Sequence, residues 1–180
     1  MIPCVPAAVV FPTSNGGWGL FAIMRVLPFA GSRHMDHAAV IAHYRAIGGM
    51  LREAVAGLDP TQQMAPTGDG KSPADHVAYL HRYSLALNRW IAGITTQDRP
   101  SLPALVADLP TNENRPIADL VDEFDRESQR AAEALAALDE QAWQRQCVRT
   151  NGEVTELEGL VTRLAAENER VVAHLRQYAD

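Results

Sequence analysis

The sequence predicts an all-α fold, a four-helix bundle with a long crossover between its second and third helices. Four segments of about 20 residues carry apolar residues at the three- and four-residue spacing of a helix. Capping residues, prolines or glycines flank these segments, and no long alternation of apolar and polar residues indicates a strand. Amphipathic helices bury their apolar stripes most simply against one another, and four such helices form a bundle.

Residues 1 to 34 have neither a helical nor a strand period, and prolines and glycines interrupt their apolar patches. We predict that they form a disordered extension, or that they are translated from a start upstream of the natural one at Met35. The alternative is a leader whose apolar residues, such as Trp18 and Phe21, dock on the domain or on a partner. The bundle domain is predicted to be residues 35 to 180.

The first helix is predicted to run from Asp36, a favourable N-cap residue, to about Leu58. The segment Gly57-Leu58-Asp59-Pro60 ends it. Gly48 and Gly49 lie in its interior, where glycine lowers helix stability and often marks the close approach of another backbone. Its apolar stripe consists of Val40, Tyr44, Ile47, Leu51, Val55 and Leu58.

A connection rich in glycine and proline leads to the second helix, which is predicted over Pro73 to Ile94. Ser72 at the cap, proline at the first helical position and Asp75 at the third form a strong start signal. His76 and Tyr79 lie on the first inward turns of this helix. The other inward positions are Val77, Leu80, Tyr83, Ser84, Leu87, Trp90 and Ile91.

Residues 95 to 115 contain three prolines and several polar residues, so we predict a long surface crossover in which a short helical turn could form over Leu102 to Leu109. The third helix begins at Pro116, and its mixed acidic and basic face is predicted to be solvated. The connection after it contains Trp143 and Cys147, where an extended segment is predicted. The apolar side of the third helix is Ile117, Leu120, Val121, Phe124, Ala131, Leu135 and Leu138.

The fourth helix lies in the last stretch, Gly152 to Asp180, with Thr155 and Glu158 as a predicted capping box. Its apolar stripe consists of Leu157, Leu160, Leu164, Val171 and Leu175. Polar residues lie on or beside this stripe, where polar groups need hydrogen-bond partners or take part in chemistry. The polar residues are Glu167, Asn168 and His174.

Composition excludes several classes of function. The formal charge is -6, with 16 Lys+Arg against 22 Asp+Glu, whereas nucleic-acid binding needs clustered positive charge. No apolar run has the roughly 20 residues that span a bilayer. Cys4 and Cys147 suggest neither a metal knuckle nor a disulfide framework, and Gly68 to Ser72 lacks the spacing of a phosphate loop and is predicted to be a linker. We therefore expect a cytoplasmic protein with no nucleic-acid and no membrane partner.

A bundle core can hold a metal ion between facing helices. Helical spacing places His76 beside Tyr79 on the second helix, and it places Glu167, Val171 and His174 along one line of the fourth. A lone histidine is more often a capping, surface or hydrogen-bonded residue than a metal ligand. A mixed site of His76, Glu167 and His174 is the alternative.

Four stretches occur in the order and spacing of a known family: IAHYRAIGGMLREAVAGLDPTQ, GDGKSPADHVAYLHRYS, LAALDEQAWQRQC and GEVTELEGLVTRLAAENERVVAHLRQ. Through them the chain, from Met35 to its end, resembles the DinB/YfiT-like superfamily of metalloenzymes. The resemblance implies a four-helix bundle, often dimeric, in which three histidines bind a divalent metal such as nickel or zinc. Characterised members include thiol-dependent transferases and isomerases.

The resemblance places the three metal-binding positions on Tyr79 of the second helix and on Glu167 and Val171 of the fourth. Valine cannot bind a metal ion, and tyrosine and glutamate stand where the family has histidines. The resemblance therefore implies that the usual three-histidine site is absent. It also implies a pocket lined by Tyr79, Glu167, Val171, His76, His174 and Asn168.

Two functions are compatible with these residues. The first is a binding or interaction module without a cofactor, in which Tyr79 donates a hydrogen bond to Glu167 and the chain binds a small molecule or forms a homodimer. The second is a metal-dependent enzyme of the thiol transferase, isomerase or hydrolase type, in which His76, Glu167 and His174 hold zinc or nickel. The first function expects no metal ion.

Overall fold

The structure is a computed structural model that describes residues 36–97, 99–102, 115–149 and 152–179. The predicted extension, residues 1 to 34, lies outside these ranges. In chain order the elements are α1 (His37–Val55), α2 (Pro60–Met64), α3 (Pro73–Thr96), β1 (Ser101–Leu102), α4 (Ile117–Ala136), α5 (Glu140–Trp143), β2 (Gln146–Arg149), β3 (Val154–Glu156) and α6 (Leu157–Ala179). No helix within the described ranges is both long enough and apolar enough to cross a bilayer.

The four long helices, α1, α3, α4 and α6, confirm the predicted bundle. Helices α1 and α3 each pack against both α4 and α6, so the order around the bundle is α1, α4, α3, α6. The residues predicted to face inward are buried, apart from Tyr79, Tyr83 and Leu138, which are half-buried. Helical periodicity therefore identifies the core correctly, because burial repeats with the turn of the helix.

The predicted start signals also place the helices. The Asp36 carboxylate accepts a hydrogen bond from the N–H of Ala38 at 3.0 Å, and Ser72 and Asp75 form a reciprocal capping box at the start of α3. Helix α1 ends at Val55, earlier than expected, and Asp59 caps the short α2 that follows.

Three short strands form a sheet in the order β1, β2, β3, with β1 parallel to β2 and β2 antiparallel to β3. The extended segment predicted at Cys147 is confirmed as part of β2, whereas Trp143 lies in α5. Thr155, predicted as a helix cap, pairs with Cys147 in β3 instead. Strands this short cannot show a two-residue period in the sequence. The helical turn expected over Leu102 to Leu109 lies outside the described residues except for Leu102, which belongs to β1.

The core consists of two apolar clusters arranged along the bundle. On each of α3, α4 and α6, one buried polar residue stands between the residues of the first cluster and those of the second. These residues, which we call the polar layer, are Ser84, Ser128 and Asn168.

Gly48 allows α4 to lie close to α1. A Cβ atom at this position would lie 2.6 Å from the Cβ of Asp125, which is closer than two carbon atoms can pack. The Asp125 carboxylate in turn lies 3.3 Å from the guanidinium of Arg52. The close approach predicted for the glycine pair is therefore present at Gly48, although the neighbour is a side chain. Nothing lies within 4 Å of a Cβ at Gly49.

The two glycines provide a matched test of this packing. Gly48→Ala is expected to lower the free energy of unfolding by about 1–3 kcal/mol, because the added methyl group displaces Asp125. Gly49→Ala is expected to raise it by up to about 1 kcal/mol, because alanine stabilises an open helical position. Urea unfolding followed by circular dichroism measures both changes. Equal effects of the two substitutions would show that Gly48 has no packing role.

Candidate metal centre

The loop before α3 is held in a tight turn by its own hydrogen bonds. The N–H of Thr67 donates to the carbonyl of Lys71 at 2.7 Å, and the N–H of Gly70 donates to the carbonyl of Thr67 at 2.9 Å. Gly70 has a φ of 81°, in the left-handed region that favours glycine. Because the capping residue Ser72 follows directly, this turn fixes the position of Asp69 relative to the first turns of α3.

The Asp69 carboxylate is held through one oxygen and leaves the other free to face α3. Oδ1 accepts hydrogen bonds from the Thr67 hydroxyl at 2.7 Å and from the Lys71 N–H at 3.1 Å. Oδ2 lies 3.3 Å from Nε2 of His76. The Thr67 hydroxyl and then the Lys71 N–H lower the pKa of Asp69 to about 2. The carboxylate is therefore ionised at neutral pH.

His76 lies near the start of α3 and is only 5% exposed. Its Nε2 atom is close to Asp69, but the contact lacks hydrogen-bond geometry, and this buried nitrogen has no hydrogen-bond partner. Burial lowers the pKa of His76, and the nearby carboxylate only partly opposes the shift. The imidazole is therefore neutral near pH 7 and has a lone pair available.

His174 reaches the same point from the last turns of α6. Its ring centroid lies 4.9 Å from that of His76, and its Nε2 lies 3.2 Å from the Thr67 hydroxyl. The Thr67 hydroxyl has one proton, which it donates to Asp69, so it accepts from His174. Nε2 of His174 is then the donor in this contact.

Asp69, His76 and His174 form what we call the ligand cluster, in which one ligand atom from each residue lies within 4.8 Å of the others. The 3.3 Å between His76 Nε2 and Asp69 Oδ2 is close to the ~3.4 Å that separates two ligands of a tetrahedral zinc ion. Two imidazoles and a carboxylate are a familiar donor set for zinc and other divalent transition metals. Within the described ranges, no other three His, Cys, Asp or Glu side chains converge in this way.

A second polar network lies on the neighbouring turns. The Tyr79 hydroxyl donates to Glu167 at 3.3 Å, as predicted, and Arg170 binds both oxygens of the same carboxylate at 2.7 and 2.9 Å. The hydrogen bonds from Arg170 lower the pKa of Glu167. Burial raises the pKa of Tyr79, so its phenol stays protonated.

The structure brings together two of the three residues of the predicted rearranged metal site. His76 and His174 meet, but the third member of the cluster is Asp69 rather than Glu167. Glu167 lies about two helical turns from His174 along α6, and Arg170 holds its carboxylate.

The remaining predicted pocket residues have other surroundings. Val171 is buried in one of the two apolar clusters, and Asn168 is buried in the polar layer. Sequence reasoning misses Asp69 because helical periodicity carries no information about a loop. The available signal was the glycine after Asp69 and the Ser-Pro helix start close behind it, which together fix a short loop against the helix.

Comparison with known proteins supports the fold. Neither a family model nor a curated protein matches the sequence. Among solved structures, the chain is similar to YfiT from Bacillus subtilis, described as a probable metal-dependent hydrolase with an unusual four-helix bundle topology. The identity is 14% and the TM-score is 0.76, over 84% of this chain and 90% of the YfiT chain. The predicted four-helix bundle, with the fold of YfiT, is therefore confirmed.

Acidification is expected to destabilise the protein in part through His76. Burial lowers the folded-state pKa of His76 below 6.5, so the unfolded state binds more protons below that pH and the free energy of unfolding falls as the pH falls. Burial also lowers the pKa values of His43 and His81. His76→Gln should therefore reduce the slope of unfolding free energy against pH without removing it. Urea unfolding at several pH values between about 5 and 8 measures the slope. An unchanged slope in the variant would contradict the assignment.

Proposed function

We propose that the chain is a divalent-metal-binding protein that holds the ion with Asp69, His76 and His174. The observation that carries the proposal is the convergence of three ligand atoms, one of which is a buried His76 nitrogen with no hydrogen-bond partner. The protonation states of Asp69 and His76 suit this use, because a carboxylate binds a metal ion when it is ionised and an imidazole binds one when it is neutral. A metal ion would also provide the partner that the buried nitrogen lacks.

The reaction class that we propose is metal-dependent hydrolysis. Catalytic zinc sites commonly use three protein ligands and leave a position for water or substrate, whereas structural sites use four. When bound, the ion would supply Lewis acidity and activate water at that position. YfiT, whose fold this chain shares, is described as a probable metal-dependent hydrolase. Thiol transfer or isomerisation at the same centre is the alternative chemistry.

Neighbouring residues position the ligand cluster in this proposal. Thr67 contacts both Asp69 and His174, so its hydroxyl fixes the orientation of two ligands. The protonated Tyr79 donates to Glu167, and Arg170 neutralises that carboxylate. Because Glu167 is already paired in the second network, Asp69 is the carboxylate that acts as the acidic ligand in this proposal.

Metal content tests the proposal directly. Protein purified without a histidine tag is expected to contain, or to take up, stoichiometric zinc or another divalent ion, measured by elemental analysis and isothermal titration. Asp69→Asn, His76→Gln and His174→Gln should each weaken zinc binding by about 100-fold or more, since each removes a ligand. Glu167→Gln is the matched control and should have a much smaller effect. A larger loss of zinc affinity from Glu167→Gln than from Asp69→Asn would show that Glu167, and not Asp69, is the acidic ligand.

An open coordination position is the property that separates a catalytic centre from a structural one. Azide is expected to change the visible absorption spectrum of cobalt-substituted protein, because it can occupy a position that no side chain fills. The measurement needs no knowledge of the substrate. A spectrum that azide leaves unchanged would indicate a closed site and argue against hydrolysis.

The second candidate function is a binding or interaction module without a metal ion. The network of Tyr79, Glu167 and Arg170 favours it, because mutually paired groups occupy two of the positions at which the family resemblance places metal ligands. Lack of bound metal, together with no rise in melting temperature on adding zinc, would support this candidate. The small-molecule ligand, the homodimer and the cytoplasmic location stay predictions under either function.

A further inference from the structure

Lys71 is the only lysine in the 180-residue chain, and it lies beside the ligand cluster. It follows Asp69 by two positions in the tight turn, where its backbone N–H donates to the Asp69 carboxylate at 3.1 Å. Its ammonium lies over the ring of Tyr79, with Nζ 5.5 Å from the centroid. Lys71 therefore contacts Asp69 of the ligand cluster through its backbone and Tyr79 of the second network through its side chain.

Lys71 is a cation that no carboxylate neutralises within the described ranges. Arg170, the other cation nearby, is held by Glu167 through two hydrogen bonds. A divalent ion with one carboxylate ligand and an adjacent ammonium gives the loaded site a net positive charge. Because the chain as a whole carries a formal charge of -6, attraction of an anion to the site would depend on this local charge.

We propose that the site takes a small molecule that carries an oxyanion, a carboxylate or phosphate group, and that Lys71 binds this group while the reacting bond faces the ligand cluster. The proposal rests on the proposed function and names its substrate class. Lysine suits this role because its three N–H donors on a flexible side chain can bind either a planar carboxylate or a tetrahedral phosphate. The Tyr79 ring beneath the ammonium limits the positions that Lys71 samples before the ligand binds.

The single lysine permits a direct test. Reductive methylation with carbon-13 formaldehyde labels Lys71 and the chain's terminal amine, and the Lys71 signal is identified by its loss from the spectrum of the Lys71→Arg variant. Zinc-loaded and metal-free protein are each titrated at constant ionic strength with sulfate, a tetrahedral analogue of phosphate, and with acetate. Isothermal titration of unmodified protein gives the dissociation constants. The Lys71 signal is expected to shift on addition of at least one of these anions.

Three variants assign the effect. Lys71→Gln is expected to weaken anion binding by about tenfold or more, because a charge-assisted hydrogen bond is lost, whereas Lys71→Arg should retain most of the affinity. Arg89→Gln removes the same charge from an exposed position of α3 and should leave anion binding unchanged. Zinc binding should not weaken in Lys71→Gln, since the substitution removes no ligand.

The outcomes for the anion and for the metal ion are independent. Equal anion binding by the wild type and Lys71→Gln overturns the inference, as does the lack of anion binding with and without zinc. Zinc binding without Lys71-dependent anion binding supports the proposed function and overturns the inference. Lys71-dependent anion binding without zinc binding supports the inference and overturns the proposed function. Tighter binding of sulfate than of acetate indicates a phosphate group, and the reverse order indicates a carboxylate.

Discussion

The burial of four apolar stripes against one another determines which polar groups in this chain need an explanation. A polar atom on an inner helix face loses its water, and it costs free energy unless it is paired. Some inward groups are paired with backbone carbonyls: the Tyr44 hydroxyl donates to the Val161 carbonyl of α6 at 3.2 Å, and the Ser84 hydroxyl donates to the His81 carbonyl at 2.7 Å. The Nε2 of His76 finds no such partner, and it faces a carboxylate and a second imidazole.

The position of that carboxylate depends on backbone hydrogen bonds rather than on apolar packing. Asp69 lies in a loop, where side-chain burial cannot hold it, and the turn closed by Thr67, Gly70 and Lys71 provides the rigidity instead. The capping box of Ser72 and Asp75 then joins this turn to α3 without a flexible residue between them. The same local interactions that begin the helix therefore set the distance between Asp69 and His76.

The sequence predicts the helices and two of the three members of the ligand cluster for one physical reason. Inward residues on a helix repeat with its turn, so the stripes of the four long helices, and the placement of His76 and His174 on inner faces, can be derived from spacing. Asp69 follows no such repeat, because its location depends on how a loop reverses direction. The strands of the small sheet are too short for their own period to show, and only the extended segment at Cys147 could be expected.

The ligand cluster lies at a different position along the bundle axis from the site that the family resemblance implies. His76 precedes Tyr79 by about one turn of α3, and His174 follows Val171 by about one turn of α6. Because His76 and His174 lie side by side, both differences move the centre toward the same end of the bundle. The loop before α3 lies at that end, and it supplies the third member of the cluster, the Asp69 carboxylate.

A carboxylate in place of a neutral imidazole would lower the charge of a metal-loaded site by one unit. In the proposed site Lys71, two residues beyond Asp69 in the same turn, would restore that unit. The loop would then provide both the acidic ligand and the compensating cation, and the electrostatic attraction for an anion would be kept although the ligand set differs.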